Sequence, residues 1–240
     1  MQRVRTFLKI IGCAGTYILL SASASGQYNP DNGFLDAHFG KPVTFSSRDS
    51  SFSLGIGGRI QSMAEFRQNM DTDSSTIDFY IRRLRLNLTG NVIGQKFTYR
   101  IQLCFSQHDV SSDNSQVQNN LFLRDAMLFY SPNPQWRFGF GQTKLPGNRQ
   151  RQISSANLQF ADRSNTNGLF TLDRDKGFWI VHTKRGKKVI LSNTLAITTG
   201  EGRINADRST GLCYSFRSEV LPFGEFKNSG DYIESDLFFE

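Results

Sequence analysis

From residue 52 onward, apolar and polar side chains alternate along the chain. In "SFSLGIGGRIQSMAEFR", Phe52, Leu54, Ile56, Ile60, Ala64 and Phe66 share one parity, and Ser53, Arg59, Gln61, Glu65 and Arg67 the other. A period of two is that of a strand with one apolar and one polar face. "KFTYRIQLCFSQ" repeats it, with Phe97, Tyr99, Ile101, Leu103 and Phe105 opposing Thr98, Arg100, Gln102, Cys104 and Ser106. "QWRFGFGQTK" sets Trp136, Phe138 and Phe140 against Arg137, Gly139 and Gly141, and "VILSNTLAIT" and "TGLCYSFR" follow suit. "GFWIVHTK" is apolar on both sides and matches the template less well. Turn-forming clusters such as "DTDSS", "GNVIGQ", "SPNPQ" and "TKRGKK" separate the strands. No segment shows a helical repeat or the ~18 consecutive apolar residues of a membrane helix. About eight strands are predicted, following a polar lead over 25–50, with one long connection from Leu145 to Lys176. Connections of that length are usually functional or disordered.

One strand breaks its own rhythm. In "IDFYIRRLRLNLTGN", residues 77 to 91, the apolar positions are Ile77, Phe79 and Ile81, then Leu84, Leu86 and Leu88. Parity slips by one residue across Arg82-Arg83, as a β-bulge requires. Asp78, Tyr80 and Arg82 then share the polar face with Arg83, Arg85 and Asn87. "LFLRDAMLFY" predicts a second slip at Arg124-Asp125, although Phe122, Met127 and Phe129 blur its pattern.

Composition places this sheet in a compartment. "MQRVRTFLK", the apolar "IIGCAGTYILL" and "SASASG" have the order of a secretory signal peptide, with cleavage expected after Ala24. Lipidation at Cys13 is the rival reading, disfavoured because Lys9 leaves almost no apolar region before it. Cleavage removes three of the 28 basic and none of the 21 acidic residues, lowering the net charge from +7 to +4. That excess, without a dense basic cluster, gives no reason to expect nucleic acid. Cys104 and Cys213 form no disulfide framework or metal spacing and read as two small buried or lumen-facing thiols. His38, His108 and His182 make no metal or catalytic set, so no cofactor, metal or enzymatic activity is expected.

A soluble sandwich also alternates. Export, strands of about ten residues with aromatics near their ends, and a polar face rich in Arg, Gln, Glu and Thr favour a transmembrane β-barrel. Such a sheet must close, because an open edge cannot be satisfied in lipid. Arg82, Arg83 and Arg85, with Asp125 moderating their field, would line the lumen and favour anions. The plainer alternative is ordinary polar lining paired with carboxylates.

"FYIRRLRLNLTGNV", "KFTYRIQLCFS", "FLRDAMLFYSP", "WRFGFGQTKLPGNRQRQISSANLQFADRS" and "RDKGFW" together resemble the phosphate-selective porin O and P family, from about Gly55 to Gly230. The resemblance implies an all-β, antiparallel outer-membrane barrel, sixteen-stranded in the family and usually trimeric. It implies passive diffusion of small anions, phosphate or polyphosphate among them, through a pore narrowed by an inward loop over about 145–176. It carries over a strand arginine pair to Arg82 and Arg83 and an acidic residue to Asp125. A basic residue before a Ser-Ser pair maps to Arg151 with Ser154 and Ser155, where the family often has Lys. Arg59, Arg100, Arg124, Lys144, Arg149 and Arg163 are expected as additional basic lining.

The expected domain division is a signal peptide at 1–24, a polar lead at 25–50 and a barrel domain at 51–240. Eight to ten strands make up only part of a sixteen-stranded barrel, and "SDLFFE" is not a recognisable final membrane strand. The chain is therefore expected to be an incomplete, N-terminal part of a longer member. Its expected setting is the outer membrane of a Gram-negative-type bacterium, against lipid, as a homotrimer when full-length. A non-conducting outer-membrane binding or structural barrel remains the alternative function.

Overall fold

The computed structural model describes residues 34–36, 41–70, 73–110, 122–203, 211–226 and 232. The expected signal peptide and its cleavage site, half of the polar lead and the terminal "SDLFFE" lie outside the described residues. Ten antiparallel strands form one sheet in which every strand pairs with its neighbours in sequence. They are β1 (Phe34–Asp36), β2 (Val43–Ser46), β3 (Ser53–Asn69), β4 (Ser74–Val92), β5 (Phe97–Cys104), β6 (Leu123–Asn133), β7 (Trp136–Lys144), β8 (Arg174–Arg185), β9 (Ile190–Thr198) and β10 (Cys213–Leu221). Among the described residues β1 and β10 are the edges, and the sheet is not closed. β1 and β2 lie inside the segment read as a polar lead. At three and four residues they are too short for alternation to reveal them.

Both expected parity slips are present in the register. β3 pairs with β4 from Gly55↔Thr89 to Gln61↔Arg83 and resumes at Ser62↔Ile81, so that Arg82 has no residue opposite it. β5 pairs Gln102 with Asp125 and Leu103 with Leu123, which leaves out Arg124. The extra residue of each bulge is an arginine. The bulge keeps Ile77, Phe79 and Ile81 on the same face as Leu84, Leu86 and Leu88, in line with Phe66, Ala64 and Ile60 of β3.

That face continues through Leu128↔Phe140, Phe140↔Phe178, Phe178↔Ile197 and Ile197↔Tyr214. Phe79, Leu128, Phe140, Phe178, Tyr214 and Phe216 on it are all exposed. The opposite face is polar on β3 and β4 but carries an apolar patch farther along, where Met127, Trp179 and Ala196 are buried together with Leu145. Gly139 makes the space for it: a Cβ there would stand 2.8 Å from Met127 Cε and 2.9 Å from the Phe129 ring. This inward Trp179 is the reason "GFWIVHTK" reads as apolar on both sides.

The connection between β7 and β8 covers this second face. It runs over 145–173, three residues shorter than expected, because Arg174, Asp175 and Lys176 pair with Lys144, Thr143 and Gln142 as part of β8. It contains two short helices that periodicity does not announce, α2 (Arg149–Gln152) and α3 (Asn165–Phe170). A third, α1 (Gln107–Val110), follows β5.

At Gly141, on β7, φ is +134° and a Cβ would lie 2.0 Å from the Ala126 carbonyl oxygen. Gly141→Val is expected to cost at least about 2 kcal/mol through backbone strain and the clash. Urea titration of the folded full chain in detergent, comparing midpoints, checks it.

Candidate functional site

The polar face of β3 and β4 presents Arg59, Gln61, Arg83 and Arg85 in adjacent rungs, since Arg59 pairs with Arg85 and Gln61 with Arg83. Like charges this close need counter-charges, and two connections bring them. Beyond β5 the chain stays against β4, with Phe105 N–H donating to the Leu84 carbonyl at 2.9 Å. α1 thereby sets Asp109 over Arg85, whose Nε and Nη2 reach its two carboxylate oxygens at 2.5 and 2.6 Å. Arg124 Nη1 donates to the same carboxylate at 3.0 Å.

The 145–173 connection supplies the rest, and its own frame is well braced. Leu145 sits in the apolar patch, and its N–H donates to the Asp173 carbonyl at 3.1 Å, closing the base. The Asn148 side chain caps α2 by accepting from Arg151 N–H at 2.9 Å. At the other end of α2, Lys144 Nζ donates to the Arg151 carbonyl at 2.9 Å and Arg163 Nη2 to the Ile153 carbonyl at 2.7 Å. Cations at a helix C-terminus meet its unpaired carbonyls.

So braced, the connection reaches side chains of several strands. The Ser155 hydroxyl accepts from Arg59 at 2.7 Å and from Arg85 at 2.9 Å. Asp162 takes Arg82 at 2.9 Å and Arg83 at 2.5 Å. On β10, Arg217 donates to the Gly147 carbonyl at 2.6 Å. Arg151 and Arg174 share Asp173, each at 2.9 Å, and Arg174 also holds Asp125 at 2.9 Å.

The residues singled out from sequence therefore divide. Arg82, Arg83, Arg85, Arg151 and Arg163 line one cavity of about 600 Å³ together with Asp109, Asp162 and Asp173. Arg59 and Ser155 adjoin it through Arg85. Arg124, Asp125 and Lys144 lie in the ion and hydrogen-bond network beside it, and Asp125, 1% exposed, answers Arg174 rather than the Arg82-Arg83 pair. Arg100 is 3.9 Å from Asp125 with half its side chain exposed. Arg149 and Ser154 are exposed on the connection.

Asp109, Asp162, Asp173 and Arg174 escaped sequence reasoning. Each lies in a connection or at a strand start, and Asp109 is 24 residues from Arg85, Asp162 80 from Arg82 and Arg174 49 from Asp125, separations to which no spacing rule applies.

Burial would raise the Asp109 carboxyl, but Arg85 and Arg124 hold it below the usual 3.8. Burial is likewise outweighed at Asp173 by Arg174, Arg151 and Arg124, and its carboxyl is lowered too. Burial and then Arg151 pull Arg163 down to about 10, still cationic at neutral pH.

A carboxyl depressed by folding contributes stability above its unfolded pKa and loses it as pH falls through the lower folded value. The ion pairs of Asp173 that tie the end of the connection to Arg151, Arg124 and Arg174 should consequently persist at pH 4 and be lost only below 3.8. Asp109→Asn leaves Arg85 buried without its carboxylate and Arg124 with Asp173 alone, and should cost about 3 kcal/mol or more. Limited proteolysis within 145–173, followed against pH for both proteins, checks both expectations.

The model of the family described as phosphate-selective porin O and P matches residues 54–226. No curated protein matches the chain.

Proposed function

The chain belongs to the phosphate-selective porin O and P family, and from that premise we propose that its arginine-rich face is the anion-selective wall of a diffusion pore. The family is one of outer-membrane channels, not of enzymes. The observation that carries the proposal is the convergence of five arginines and three aspartates, from one strand and two connections, on one open polar cavity. Guanidinium groups stay charged at any physiological pH and offer paired N–H donors that match phosphate or carboxylate oxygens. A rim of such groups raises the local anion concentration and repels cations.

In this reading the exposed apolar face meets outer-membrane lipid, and the 145–173 connection narrows the lumen from within. The preferred solutes are small oxyanions, phosphate or polyphosphate. Export by the N-terminal signal peptide with cleavage after Ala24, and assembly as a homotrimer, complete the proposal. Arg82 and Arg83 do the selecting at the cavity. Arg85, Arg151 and Ser155 hold the connection at the spacing that makes the passage narrow.

One observation favours the alternative of a non-conducting binding or structural barrel: Arg82, Arg83, Arg85, Arg124, Arg151 and Arg174 all meet carboxylates of the chain itself. Conductance separates the two. In a planar bilayer under a salt gradient, the reversal potential of the full-length product should indicate anion preference. Arg82→Ala and Arg83→Ala should each lower the anion-to-cation permeability ratio by at least about threefold, through loss of one fixed positive charge. Selectivity unchanged in both variants sinks the assignment.

A further inference from the structure

Three aspartates line the arginine cavity, and they are not equivalent. Asp109 and Asp173 have only 4% and 15% of their side chains exposed, whereas Asp162 has 41%. The first two are locked between buried guanidinium groups. Asp162 is at the surface of the cavity and can turn to water.

Its contacts have the pattern expected of a bound oxyanion. Oδ1 accepts from Arg82 Nη2 at 2.9 Å and from Arg83 Nη2 at 2.5 Å, and Oδ2 accepts from Arg82 Nε at 3.2 Å. One carboxylate thus forks onto two guanidinium groups, and the trio keeps a net positive charge. The two arginines do not depend on it for their placement. Arg82 Nη1 also donates to the His108 carbonyl at 2.8 Å, and Arg83 Nη1 to Gln61 Oε1 at 2.8 Å and the Ala161 carbonyl at 3.0 Å. The connection is likewise held without Asp162, by Ser155, Lys144 and Arg163. A solute anion can therefore replace the carboxylate on a site that is already formed.

We propose that Asp162 is a displaceable internal counter-ion that sets the affinity of the Arg82-Arg83 pair for permeating oxyanions. Two desolvated guanidinium groups with nothing opposite them would hold a divalent phosphate tightly and slow its passage. Asp162 competes for the same N–H donors, so every bound anion must displace it and every departing one is helped out by its return. Asp125, buried against Arg174, is too constrained for this part. The inference rests on the arginine pair being an anion site.

Calorimetric titration of inorganic phosphate into the full chain, folded in detergent at pH 7, tests it. Asp162→Asn keeps shape and loses the charge, and should bind phosphate about tenfold more tightly, the order expected on removing a charge-assisted competitor. Asp162→Glu should stay near the parent, and adding Arg82→Ala to Asp162→Asn should abolish the gain. Equal or weaker binding by Asp162→Asn, with binding still lost on Arg82→Ala, overturns the role of Asp162 and leaves the arginine site standing. Absence of phosphate binding in both the parent and Asp162→Asn overturns the two together.

Discussion

A guanidinium group taken partly out of water must meet a carboxylate, and much of the organisation of this sheet follows from that requirement. An unpaired buried charge costs several kcal/mol. Arg83, Arg85, Arg124 and Arg174 are all buried. No neighbouring strand position supplies a partner for Arg85: across the ladder it faces Arg59 on one side and Cys104 on the other. The partners have to come from the connections, so the connections are drawn onto the sheet. The charge pattern of the strands thereby dictates where two irregular segments lie.

The bulges are the geometrical half of the same design. An uninterrupted strand from Ile77 to Leu88 would hold either its first or its second apolar set on the polar face. Inserting Arg82 lets both sets face outward and places two consecutive arginines where one Asp162 reaches both. At β6 the same device tucks Arg124 toward Asp109 and leaves Asp125 to Arg174. The apolar patch of Met127, Trp179, Ala196 and Leu145 adds a non-polar anchor, which fixes the start of the 145–173 connection independently of charge.

Seven of the strands, β3 to β7, β9 and β10, are legible from alternation, β8 only weakly because both its sides are apolar, and both bulges from the slip of parity, because strand period and face are local properties of sequence. β1 and β2 are too short to show a period. The arginine half of the site is legible for the same reason, since Arg82 and Arg83 sit where the rhythm breaks. The carboxylate half is not. Asp162 in "FADRS" looks like any loop aspartate, and only the path of the chain between Leu145 and Asp173 makes it the partner of residues 80 and 79 positions earlier. Asp125 was the acid that sequence pointed to, and its burial against Arg174 could not be read without knowing where β8 begins.

These separations also impose an order on assembly. Arg85 and Asp109 are 24 residues apart, Arg82 and Asp162 80. Closing the longer loop costs about 1 kcal/mol more in chain entropy, and it also waits for β6 and β7 to form. Arg85 is therefore neutralised by a near neighbour while the sheet is still growing, and Arg82 and Arg83 lack their carboxylate until the longer loop closes. A nascent sheet of this kind passes through a stage at which its positive charge is greatest at Arg82-Arg83, and it is there that a stray polyanion would interfere with folding.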